Sequence, residues 1–272
     1  MATTSSTDAA AGQPAVVVIT GATGPVGRAT ARRLAAQGAR LALVGRDQAR
    51  LDTMAAELAA ALAETPGADA PEAVRTWTKI IGDLRQPDAA RDVARTVEAR
   101  YGRIDALVHL VGGWVGGTSV VDLDPAEVQG MLDQHLWTTL HMVQAVVPGM
   151  IEHGYGRVVA VSSPVASTHV AGQASYAIGK SSEEVLVGSL ARELAGTGVT
   201  ANLVTIRGLT ETDDDPGTAP ISAEAHASAG GGTPTPHKRG MVRPDAIARV
   251  LAYLVSPDAS SVNGERIALG GD

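Results

Sequence analysis

The sequence predicts an α/β protein: a doubly wound parallel sheet of about seven strands with helices on both faces. Three observations carry this. Short β-branched apolar runs alternate with longer Ala- and Leu-rich stretches along the chain. The strand-like runs are apolar nearly throughout, as strands covered on both faces are. The stretches between them are long enough to cross over to a parallel neighbour, in the right-handed sense.

The elements follow in order. Residues 16–20 form the first strand, and 25–37 a helix with Pro25 in its first turn and Gly38 just past its end. A second strand covers 40–45, and a second helix 47–63 with Asp47 as N-cap. Residues 64–72 carry Pro and Gly and read as a loop. Strand three spans 76–81, helix three 87–101 and strand four 105–111. Gly112, Gly113, Gly116 and Gly117 make the next segment a flexible loop, and 124–153 is mostly helix. Strand five (157–162), a helix (175–195), strand six (199–206), a helix (244–255) and a last strand (265–269) complete the pattern. Residues 208–240, rich in Gly, Pro and Asp, read as a flexible lid, and 1–13 as a disordered tail. No repeat or linker divides the rest, so 14–272 is expected to form a single domain.

Composition narrows the function. The 272 residues carry 22 Lys plus Arg against 29 Asp plus Glu, a net charge of −7. That balance argues against a nucleic-acid partner, since a phosphate backbone wants a clustered basic face. The chain has no cysteine, which excludes thiol nucleophiles, disulfides and Cys-ligated metals. The histidines at 141, 153, 169, 226 and 237 show no metal-ligand spacing, so no metal is expected. No apolar run is long enough to span a membrane, and the N-terminus has no signal-peptide pattern; a cytoplasmic protein is the expectation. With no Phe, three Trp and four Tyr, the core must be aliphatic.

Two constellations carry chemistry. The first strand runs into Thr20-Gly21-Ala22-Thr23-Gly24-Pro25-Val26-Gly27. Glycines here let the backbone turn tightly against a pyrophosphate, and the following helix offers free N–H groups to it, as in a Rossmann-type fold. The fifth strand ends at Ser162-Ser163, and Tyr176 and Lys180 follow at helical i,i+4 spacing on one face. An ammonium beside a phenol stabilises phenolate, which makes Tyr176 a usable general acid. A serine hydroxyl beside it can hydrogen-bond a substrate carbonyl.

These residues resemble the short-chain dehydrogenase/reductase family from about residue 16 to the C-terminus. Further matches are Asp83-Leu84 after strand three, Asn202 in Val199-Thr200-Ala201-Asn202, and Val262-Asn263-Gly264-Glu265-Arg266-Ile267 followed by Gly270-Gly271. The resemblance implies that Ser163 orients the carbonyl, that Tyr176 exchanges the proton, and that Lys180 holds the nicotinamide ribose and tunes Tyr176. It places Asp83 and Leu84 at the adenine, and Val111, Gly112, Arg207 and Gly208 along the cofactor. It also implies a homo-oligomer, tetramer or dimer, built through the helices at 124–153 and 175–195.

The chain departs from the family at several places. Pro25 stands where the main branch has glycine. His109-Leu110-Val111-Gly112 replaces Asn-Asn-Ala-Gly, Ile206-Arg207 or, with a one-residue shift, Arg207-Gly208 replaces Pro-Gly, and His135 takes the place of the catalytic Asn. A neutral imidazole both donates and accepts, so His135 is expected either to hold the relay water or to pack in its helix. In the relay reading it would protonate near pH ~6.5 and the relay would fail as pH falls. Gly112-Gly113-Trp114-Val115-Gly116-Gly117 with Leu136-Trp137-Thr138-Thr139 resembles the dihydropteridine reductases, where Trp114 would stack on a pterin; otherwise Trp114 packs on the lid. Thr210 is a further substrate-side candidate.

The expectation is a reductase transferring hydride from NADPH to a ketone of a small or medium organic molecule. A C=N or pterin-type reductase and a catalytically silent NADP-binding sensor are the alternatives. NADP(H) is expected because the second strand ends at Gly45 and Arg46. The glycine leaves room for a 2′-phosphate and the guanidinium can pair with it, where an NAD enzyme would place an acid.

Overall fold

The structure, a computed structural model, describes residues 14–63, 77–210 and 241–270. The expected tail, the 64–72 loop, and 211–240 of the expected lid lie outside the described residues.

The chain lays down β1 (Val16–Thr20), α1 (Pro25–Ala36), β2 (Arg40–Gly45), α2 (Gln48–Ala63), β3 (Trp77–Ile81), α3 (Pro87–Tyr101) and β4 (Ala106–His109). A second half follows: α4 (Pro125–Leu132), a π-helical turn (Asp133–Trp137), α5 (Thr138–His153), β5 (Gly156–Ser162), α6 (Val165–Thr168), α7 (Ala174–Glu193) and β6 (Val199–Ile206). Short strands β7 (Gly208–Leu209) and β8 (Met241–Val242), helix α8 (Pro244–Leu254) and β9 (Arg266–Leu269) complete it.

Seven strands pair in parallel in the order β3-β2-β1-β4-β5-β6-β9. The strand order reverses between β1 and β4, the switch point at which this architecture opens a crevice. One face is covered by α3, α5 and α7, through Val93, Val97, Met142, Met150, Val187 and Leu190. The other is covered by α1, α2 and α8, through Leu34, Met54, Leu58, Ile247 and Leu251. The core is aliphatic on both sides, as a chain without Phe requires.

The stretch expected to be mostly helix, 124–153, is helical, and a π-helical turn interrupts its α-helix at Asp133–Trp137. Thr138 Oγ1 donates to Gln134 O at 2.7 Å and Thr139 Oγ1 to His135 O at 2.6 Å. Hydroxyls that bond back one turn compete with the backbone ladder and loosen it. The π-helical turn falls there and carries His135 into the interior. The expected lid is also shorter at its base, because β7 and β8 pair through Gly208 with Met241 and Leu209 with Val242.

Candidate active site

All seven parallel strands end at one edge, and the polar residues gather there. After Thr20 the chain turns into α1. Gly21 adopts φ +64°, and a Cβ there would stand 2.5 Å from Leu110 O, so only glycine lets this turn lie against the exit of β4. A Cβ on Gly27 would meet Ala22 O at 2.5 Å. Gly24 is the N-cap of α1, Pro25 and Val26 open the helix, and Arg28 Nε donates to Thr23 O at 3.1 Å. No side chain caps α1 and its first turn holds no acid. Its dipole end and leading N–H groups therefore remain suited to an anion.

His109 is buried at the end of β4. Thr20 Oγ1 donates to its Nδ1 at 2.9 Å, and its Nε2 donates to Thr138 Oγ1 at 3.2 Å. Thr138 Oγ1 spends its own proton on Gln134 O, which assigns the Nε2–H tautomer of a neutral ring. Burial, and then the Lys180 charge, hold this imidazole down to about 3. His109 thus joins β1, β4 and α5. Beyond it, Val111 packs half-buried on the core and Gly112 passes the His135 ring. Trp114 folds over Gly116, where a Cβ would stand 2.9 Å from the ring, and Gly117 N donates to Gly172 O at 2.6 Å. The glycine loop is so tied to the turn before Tyr176.

Ser163 follows β5, and its Oγ accepts from Val165 N at 3.4 Å, which leaves the hydroxyl proton to donate. Ser181 Oγ donates to Ala166 O at 2.7 Å and docks α7 on α6. Ser175 Oγ donates to Glu127 of α4 and fixes the start of α7. Tyr176 is half-buried; His135 meets its ring edge-on, with centroids 5.6 Å apart. Lys180 is buried, and its Nζ donates to Val161 O and to Glu183 Oε2, each at 2.7 Å. His135 Nε2 donates to Gly113 O at 3.0 Å, while its Nδ1 has no partner among the described residues.

A family profile described as Enoyl-(Acyl carrier protein) reductase matches residues 21–271. The chain belongs to the short-chain dehydrogenase/reductase family. It is similar to (2S)-[(R)-hydroxy(phenyl)methyl]succinyl-CoA dehydrogenase subunit BbsC of Thauera aromatica, 37% identical over 256 residues, or 94% of this chain and 93% of that protein. It is also similar to 3-oxoacyl-[acyl-carrier-protein] reductase FabG of Escherichia coli, 28% identical over 262 residues, or 94% and 96%. The crystal structure of levodione reductase superposes with a TM-score of 0.77 at 26% identity, covering 94% of this chain and 96% of that one.

Against the family pattern, Asn202 and Asn263 are staples. Asn202 Nδ2 donates to Val262 O at 2.8 Å and its Oδ1 accepts from Glu265 N at 3.0 Å. Asn263 Oδ1 accepts from Ala201 N at 2.9 Å, so the pair locks the C-terminal segment onto β6. Asp83 presents its carboxylate after β3 in a bidentate pair with Arg85, whose guanidinium holds it below the usual carboxylate range. Leu84 is buried, and its carbonyl accepts from His141 Nδ1 at 2.9 Å. Gly45 ends β2, and Arg46 is exposed beside it. Arg207 is exposed, Gly208 opens β7, and Thr210 follows with a buried Oγ1 that has no partner among the described residues. The family works with nicotinamide cofactors. The uncapped α1, the Gly21 turn and the Thr210 hydroxyl fit such a dinucleotide.

One expectation is corrected. His135 does not titrate near pH ~6.5. Burial first, and then the charge of Lys180, depress it to about 3, so no loss of proton relay on the acid side traces to it. Sequence reasoning also missed Glu183. Its signal was positional: it stands midway in the buried stripe Ser175, Gly179, Glu183, Val187, Ala191 of α7, where a small or apolar residue is expected.

Proposed function

We propose that the protein is an NADPH-dependent reductase that converts a ketone of a small or medium organic molecule to an alcohol. The observation that carries this is the placing of Lys180. Its ammonium is held on Val161 O at the end of β5, one helical turn from Tyr176 and beside the strand that delivers Ser163.

When bound, the dinucleotide supplies a hydride from nicotinamide C4 to the carbonyl carbon. Ser163 donates a hydrogen bond to the carbonyl oxygen and orients it. Tyr176 gives that oxygen its phenolic proton as the carbonyl π electrons move onto oxygen, so ketone, hydride and proton balance to an alcohol. Lys180 stabilises the phenolate left behind and holds the cofactor ribose. Thr20, Gly21, Thr23, Gly24, Pro25, Val26 and Gly27 seat the pyrophosphate, and Gly45 and Arg46 the 2′-phosphate. Asp83 and Leu84 face the adenine, and Val111, Gly112, Arg207 and Gly208 flank the nicotinamide half. Trp114 and Thr210 border the substrate. Residues 14–272 act as one domain, in a cytoplasmic homo-oligomer. Exposed Ile178 and Val185 on α7 support that assembly, as apolar residues that a subunit contact would cover. No described helix is long and apolar enough to cross a membrane.

The relatives support a carbonyl substrate: one is named as a 3-oxoacyl reductase, another as a levodione reductase. The test is NADPH consumption against ketones, 3-oxoacyl thioesters, imines and quinonoid dihydropterin. Turnover of a ketone or 3-oxoacyl thioester is expected. NADPH binding without any turnover would instead mark a silent binding protein, and turnover confined to dihydropterin a pterin reductase.

A further inference from the structure

Glu183 lies three residues beyond Lys180 and is fully buried. Its Oε2 accepts from Lys180 Nζ at 2.7 Å, and Thr139 Oγ1 lies 3.3 Å from its Oε1. That hydroxyl also bonds His135 O at 2.6 Å, so Lys180 is linked through Glu183 and Thr139 to the π-helical turn under Tyr176. An ammonium has three N–H donors. Val161 O and Glu183 take two, and one is left for a ligand.

A buried ion pair is weak evidence for stability, because well-packed apolar residues often serve as well. The Val187 and Ala191 positions of the same stripe show what this face otherwise accepts. We propose that Glu183 is a positioning residue of this site: it fixes Lys180 Nζ and, as a buried negative charge, keeps Tyr176 protonated across the working pH range. The inference rests on the reading of Tyr176 as proton donor.

The sign follows from the charges. A lone ammonium near a phenol favours phenolate, and a carboxylate in contact with the ammonium cancels much of that field. Among the described residues, the groups around Glu183 are few. Lys180 and Glu184 lie on its own helix; Thr139 faces it from α5. The imidazoles of His109 and His135, close enough to Lys180 to feel its charge, are both held neutral. Burial pushes the Glu183 carboxyl up while Lys180 pulls it back, so Glu183 is also the group whose protonation would undo the pair as pH falls.

Glu183→Gln keeps the shape and an acceptor for Nζ but removes the charge. Ammonium and phenol should then both lose their protons at lower pH. The test is an ultraviolet titration of tyrosinate in the full chain, without substrate. Parent and Glu183→Gln are each compared with their Tyr176→Phe counterpart, so that the difference isolates Tyr176. The Tyr176 midpoint should fall, because the Lys180 charge is then no longer cancelled by a carboxylate. The alkaline limb of kcat/KM for ketone reduction should fall with it. Glu183→Asp keeps the charge at shorter reach and should shift the midpoint in the same direction by less. An unchanged midpoint in folded Glu183→Gln overturns the proposal, and if that variant does not fold, an unchanged midpoint in Glu183→Asp does so. A parent that reduces no ketone, or a Tyr176→Phe variant that still does, would defeat the functional reading while the titration still reports the field of Glu183.

Discussion

A Cβ on Gly179 would stand 2.9 Å from the imidazole of His135, so the two residues share one volume between α7 and the π-helical turn. Gly179 sits inside the Tyr176–Lys180 turn, and His135 lies edge-on to the Tyr176 ring. The histidine that departs from the family pattern is thus accommodated by a glycine in the motif that does not depart from it.

Gly179→Ala should displace His135 and the Tyr176 ring together. Overpacking of this kind costs about 1–3 kcal/mol, and turnover should fall with it. Adding His135→Asn should recover part of the loss, with a coupling of about 0.5–3 kcal/mol in a double-mutant cycle read by urea unfolding. Recovery should be partial, because Met131 O also stands 3.0 Å from the added methyl. Strict additivity would show that the two side chains do not compete.

The buried imidazoles set an acid dependence of stability. His109 and His135 both titrate near 3 in the folded chain but near ~6.5 when unfolded. Between these values the unfolded chain binds more protons. The stability gained by holding the rings neutral is fully present above pH ~6.5 and is lost as pH falls through the window, at about 1.4 kcal/mol per pH unit for each ring. Urea midpoints taken between pH 6.5 and 5 should fall less steeply in His135→Asn than in the parent; carboxylates common to both cancel. Equal slopes would show that His135 ionises in the folded state.

Much of this was legible in the residues. The β-branched runs and the Gly, Pro and Asp punctuation located all seven sheet strands, and Ser163, Tyr176 and Lys180 were legible because their spacing is local. The break at 133–137 was not, since no Pro or Gly marks it; it coincides with two threonine hydroxyls bonding back one turn, which only the folded geometry displays. Glu183 was not legible either, since its pairing with Lys180 matters only because the stripe of α7 that carries both is buried. His109 looked like a lost asparagine, yet its two ring nitrogens bridge strand and helix across a sequence gap no local pattern spans.

Cofactor choice is tested at Gly45. NADPH should bind at least ~10-fold more tightly than NADH, about 1.4 kcal/mol, by fluorescence titration. Gly45→Asp should reverse the order by repelling a 2′-phosphate and accepting from a ribose hydroxyl. The atoms nearest to an added Cβ belong to the buried Leu51 side chain, at 3.3 Å, which must give by a few tenths of an ångström. Equal or tighter binding of NADH by the parent would contradict the assignment.

The central claim is that Tyr176 delivers the proton. Tyr176→Phe keeps the ring that packs edge-on against His135 and removes the hydroxyl alone. With a ketone that the parent reduces, kcat for NADPH-dependent reduction should fall roughly 10²–10⁴-fold, the weight of a positioned general acid, while NADPH affinity stays near that of the parent. A Tyr176→Phe variant that keeps more than about half of the parent kcat would contradict the account, because a general acid is worth far more than that.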